Sequence, residues 1–196
     1  MDLNAWHYFL ALERDLIGTT DFVEPHFGNA TSFSNAYAKL LLLVGSETDV
    51  IAKALCRQVP GAAAASNIMQ YRSILLDAFP GIETVEIYVA RYGMALTPWG
   101  AWAIEDPTSP GWWKAHTNVK HHRTEQFGDA NQRNVFDAFA GLLVLELYYY
   151  RSVSYLQPSP ALFDRGFPEA ITDSGHHAMP GLEYVHGTGL ARWELG

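Results

Sequence analysis

The segment QRNVFDAFAGLLVLELYYYRSVSYL, residues 132–156, limits most tightly what this chain can fold into. It reads as one long helix that is apolar nearly all round, and such a helix must lie at the centre with other elements on every side. Its apolar run is too short and too interrupted to cross a bilayer. Asp129 or Asn131 stands where a helix N-cap is needed.

The rest of the chain offers partners for such a centre. Residues 2–17 read as a first helix with Trp6, Phe9, Leu10 and Leu16 at apolar positions. The stretch from Ala30 to Val59 is the clearest helical pattern. Ser32 or Ser34 caps it, Tyr37, Leu40, Leu41, Val44, Ile51 and Leu55 form a stripe at helical spacing, and Pro60-Gly61 ends it. Asp49 and Lys53 pair at i,i+4 on the opposite face and read as solvated. A shorter helix spans 66–79. Residues 83–99 alternate as a strand, a turn near Tyr92-Gly93 and a second strand. Another helix is expected from Gly111, with Pro110 just ahead of it. From Gln157 the prolines and glycines predict a loop-rich tail. The expectation is a mainly α protein: a helical bundle over residues 1–156 with a small β-hairpin, followed by a loop-rich C-terminal extension over 157–196.

Composition removes several classes of function. A net charge of −8 argues against nonspecific coating of nucleic acid or anionic membrane, while leaving room for a local basic cleft. Cys56 is the single cysteine, so neither an intrachain disulfide nor a cysteine-cluster zinc site can form. The N-terminal segment lacks a basic stretch followed by an apolar one, so a cytoplasmic chain without a membrane partner is expected.

Against that acidic background, GWWKAHTNVKHHRTEQF at 111–127 stands out. On a helix, Lys114, Asn118, His121 and Glu125 share one face, and His116, Lys120 and Arg123 share another. Imidazoles that move protons, beside cations that meet charge on phosphoryl oxygens, suit metal-free chemistry on RNA, in which a 2′-hydroxyl attacks the adjacent phosphate. Lys114 and His116 are further candidates for contacting substrate. The opposing reading is structural. Glu47 and Glu146 each border an apolar stripe and need a cationic or hydrogen-bonding partner, so one or the other is expected to orient His121, Arg123 or Lys120.

The run from Pro110 to Tyr150, in which a Lys-His-x-Arg helix end feeds a long apolar helix, resembles bacterial HEPN-like proteins. The helix around SNAYAKLLLLVGSETDVIAKAL fits an earlier core helix of the same group. The resemblance implies a compact helical bundle, a homodimer, and metal-independent ribonuclease activity in stress or phage defence with an antitoxin-type protein partner. In that group an Arg is followed by a polar residue, with a His four to six residues after the Arg. Carried over, His121 is the catalytic His and Asn118 the polar residue. His116 or Thr117 stands where the Arg is expected, so Lys120 or Arg123 would supply the positive charge. The implied substrate is RNA or a nucleotide, and no cofactor or metal is called for. The alternative is a noncatalytic HEPN-like binding or scaffold protein that recognises a partner protein or a nucleotide.

Other signals carry less. His176, His177, Glu183 and His186 suggest a metal only weakly, and a metal enzyme using His116, His121 and His122 is a remoter third reading. Trp99, Trp102, Trp112 and Trp113 could stack bases, but core packing is the simpler expectation.

Overall fold

The computed structural model describes residues 2–62, 64–104, 108–153, 156–165 and 191–192. Five helices carry the fold: α1 (Asn4–Thr19), α2 (Asn35–Arg57), α3 (Ile68–Ala78), α4 (Gly111–His122) and α5 (Gln132–Tyr149). The chain is mainly helical, as its patterning predicts. Between α3 and α4 lies an antiparallel hairpin of β1 (Ile87–Val89) and β2 (Met94–Leu96), with Ile87 opposite Leu96. Two tail segments widen it into a four-stranded sheet. β3 (Asp164–Arg165) pairs antiparallel with β1, and β4 (Ala191–Arg192) pairs parallel with β2. The histidines at 176, 177 and 186 and Glu183 lie outside the described residues.

α5 is the centre that its sequence demands. Every residue from Ala138 to Tyr148 is buried, and the helix packs most extensively on α2 and also on α4 and α1. Of the two candidate caps, Asn131 serves: its side chain accepts the backbone N–H of Asn134 at 3.0 Å. Likewise Ser34, not Ser32, caps α2 by accepting from Tyr37 N at 3.1 Å. Phe139 of α5 meets Phe9 of α1 edge-on and stacks on Phe163 from beyond the bundle, at 5.9 Å between centroids.

The described start of the tail is bound to α1. Glu13 is 2% exposed, and its carboxylate accepts the backbone N–H groups of Ala161, Leu162 and Phe163 at 2.9, 2.8 and 3.3 Å. Those bonds satisfy an acid that would otherwise be costly to bury. Trp6 Nε1, two turns ahead of Glu13 on α1, donates to the Pro158 carbonyl at 3.0 Å.

On the other side of α5, a set of indoles seats α4. Trp99 and Trp102 lie 4.2 Å apart between ring centroids, and Trp99 meets Trp112 edge-on at 5.1 Å. Trp99 Nε1 donates to the Gly141 carbonyl at 3.1 Å, and Trp112 Nε1 donates to that of Pro98 at 2.8 Å. Trp112 lies directly over Gly141: a Cβ there would sit 2.7 Å from Trp112 Cζ2. The central helix therefore carries glycine where the indole crosses it. Replacing Gly141 by Ala should cost about 1–3 kcal/mol through overpacking, measured as a fall in unfolding free energy by urea denaturation.

Candidate functional site

α4 also crosses α2, and the crossing is tightest at Gly45. A Cβ on Gly45 would lie 2.3 Å from Cδ2 of His116 and 2.7 Å from its Nε2. A glycine inside a helix costs about 1 kcal/mol relative to alanine, and here that cost admits an imidazole into the helix interface. His116 is consequently buried, and its Nδ1 has no hydrogen-bond partner among the described residues. Burial, with Lys120 nearby, pushes the His116 pKa down to about 4, although Asp49 pulls the other way. The ring is therefore uncharged at neutral pH.

Beside that contact opens a cleft of about 280 Å³, lined on α2 by Gly45, Ser46 and Asp49, and on α4 by Trp113, His116, Thr117, Lys120 and His121. Ser66, just ahead of α3, completes it. Lys120 and His121 are exposed at its edge. Trp113 is half-buried and packs against His116 at 5.3 Å between ring centroids. The helical wheel divided His116 and Lys120 from His121, but the cleft lies along the seam between those faces and takes all three.

Asp49 is where the sequence reading needs correction. It is not a merely solvated partner of Lys53. Its carboxylate pairs with Lys53 and also accepts the Tyr71 hydroxyl at 2.7 Å, which fixes it at the cleft wall. Tyr71 is fully buried, and that burial, reinforced by Asp49, raises its pKa well above the usual phenol range. The signal available in sequence was Gly45 itself: an isolated glycine in a strong helical pattern marks a close approach, and Asp49 follows it by one turn.

The other candidates lie apart. Asn118 Nδ2 donates to Asp129 Oδ2 at 2.8 Å, tying α4 to the turn at Phe127–Asp129. Lys114 is exposed, and Arg123 is the exposed residue capping the C-terminus of α4; neither lines the cleft. Glu47 and Glu146 have no ion pair or hydrogen bond to residues 114–123 among the described residues. The orienting role expected of them therefore has no bond to act through. Instead they act on each other between α2 and α5. Glu146 is fully buried, and among the described residues neither of its carboxyl oxygens has a partner. Burial, together with the charge on Glu47, pushes its pKa up to about 8, and burial raises that of Glu47 as well. Cys56 is buried, its thiol pushed up to about 11, which suits a packed and unreactive side chain.

Of the four tryptophans weighed as stacking surfaces, Trp99, Trp102 and Trp112 are core residues and only Trp113 reaches the cleft. Among the described residues no three His, Cys, Asp or Glu side chains converge as a metal site would require. No helix among them is long and apolar enough to cross a membrane. Comparison of the chain with known protein families, with curated proteins and with solved structures finds no match.

The orphaned Glu146 makes stability depend on pH with a definite sign. The folded chain keeps this proton up to about pH 8, whereas an unfolded carboxyl loses it near 4.5. The folded state thus binds the extra proton between those values, and its stability falls as pH rises through them. Glu146→Met, similar in shape and uncharged, should stabilise the protein at pH 8 by about 1–4 kcal/mol and by clearly less at pH 5. Urea denaturation at the two pH values measures the difference.

Proposed function

We propose that the cleft between α2 and α4 is an RNA site, and that the chain is an HEPN-like endoribonuclease acting without a metal in stress or phage defence. The observation that carries this reading is the convergence of His116, Lys120 and His121 on one solvent-open cleft. His121 takes the proton of a ribose 2′-hydroxyl as that oxygen attacks the neighbouring phosphorus. The bond from phosphorus to the 5′-oxygen breaks, the imidazolium returns the proton to the departing oxygen, and a 2′,3′-cyclic phosphate is left. The Lys120 ammonium meets the charge on the phosphoryl oxygens. His116, uncharged at neutral pH, adds a hydrogen-bonding group without adding charge. Asn118 and Arg123 drop out of the reacting set, since neither lines the cleft. The chain works in the cytoplasm as a homodimer and is restrained by an antitoxin-type partner in this reading.

A noncatalytic binding or scaffold role is the second reading, and two observations favour it. Asp49 places a carboxylate in the wall of the same cleft, and Leu43 and Val50 are 42% and 53% exposed on the outer face of α2, where a protein partner could sit.

Cleavage of RNA by the purified protein in EDTA separates the two. The first reading expects products with cyclic-phosphate ends from wild type, and a rate lower by about 100-fold or more for folded His121→Ala. RNA that binds and stays intact would favour the second.

A further inference from the structure

We infer that the cleft takes an unpaired ribonucleotide, with the face of its base laid against Trp113. This rests on the reading of the cleft as an RNA site and specifies which RNA enters it.

Trp102, Trp99, Trp112, Trp113 and His116 form a continuous series, with centroid separations of 4.2, 5.1, 5.8 and 5.3 Å. The first three are sealed in the core with exposures of 1%, 0% and 2%. Trp113 is the member at which the series reaches solvent, and it does so in the cleft wall beside Lys120 and His121. Its indole is held edge-on by Trp112 at 83° and braced by His116, so little freedom is lost when a ligand covers it. A rigid aromatic face beside a cation is the arrangement that binds single strands, because every base offers a π-face and every link a phosphate.

Size and charge narrow the class further. A volume of about 280 Å³ lies just below the usual range for ligand sites and has no room for a base pair. A duplex keeps its bases stacked on each other and would present only its backbone. The net charge of −8 opposes the extended phosphate contacts on which duplex binding depends. Asp49 also finds a use in this arrangement. Its carboxylate, held by Lys53 and Tyr71, is an acceptor suited to ribose hydroxyls, while Lys120 faces the phosphate.

The test measures binding of three labelled probes to the full chain in EDTA, using His121→Ala to prevent cleavage. The probes are a short single-stranded RNA, the same sequence as a duplex, and an abasic strand of equal length. The inference expects the single strand to bind at least tenfold more tightly than the other two. Adding Trp113→Ala should weaken single-strand binding by roughly tenfold to a hundredfold, while Trp113→Phe restores most of it. Circular dichroism confirms that each variant is folded. Equal binding of the single and abasic strands, unchanged by Trp113→Ala and weakened by Lys120→Ala, would overturn the stacking role and leave the phosphate site standing. Binding of none of the probes would overturn both.

Discussion

The placement of α4 depends on two rings that lie over two glycines. Trp112 crosses α5 at Gly141, and His116 crosses α2 at Gly45. Both contacts are closer than any side chain would permit, so they fix the rotation of α4 about its axis as well as its distance from the bundle. That rotation turns Trp113, Lys120 and His121 toward the cleft and leaves Lys114 and Arg123 outside it. A helix held only by interchangeable aliphatic contacts would not set its polar residues so narrowly.

Two of the buried titratable groups, His116 and Glu146, pull stability in opposite directions. His116 must stay uncharged in the fold, so stability falls as pH drops from the usual imidazole value of about 6.5 toward its own value of about 4. Glu146 must stay protonated, so stability falls as pH rises from 4.5 toward about 8. Among the described residues neither His116 Nδ1 nor either Glu146 carboxyl oxygen has a hydrogen-bond partner, a costly arrangement in a core that is mostly apolar and aromatic. For His116 the cleft supplies a reason, since the ring forms part of its wall. Glu13 shows the contrasting solution, a buried carboxylate satisfied by three backbone N–H groups of the tail.

Most of the helical architecture was legible because it is local. An all-round apolar run can only be central, and serine or asparagine at a helix start declares a cap. What escaped was non-local. Nothing near Asp49 in sequence points to Tyr71, 22 residues on, whose hydroxyl holds the carboxylate at the cleft. Lys53 offered a sufficient local partner, and the wheel put both on a solvated face. Glu13 was equally silent, because its donors lie about 150 residues away. The wheel gave directions on α4 correctly but not which neighbour each direction meets, so the seam between two faces passed unseen. Gly45 and Gly141 were the readable clues, as single glycines inside strong helical patterns.

The close seating of His116 over Gly45 is the claim on which the cleft stands, and the titration of that ring tests it most directly. NMR of the histidine side chains in wild type and Gly45→Ala resolves it. The account expects His116 to titrate near pH 4 in wild type and to move up toward 6.5 in Gly45→Ala, as the added methyl drives the ring out of the interface. A wild-type value at or above 6.5, unchanged in the variant, would mean that the ring is not sealed between the helices and would contradict the account.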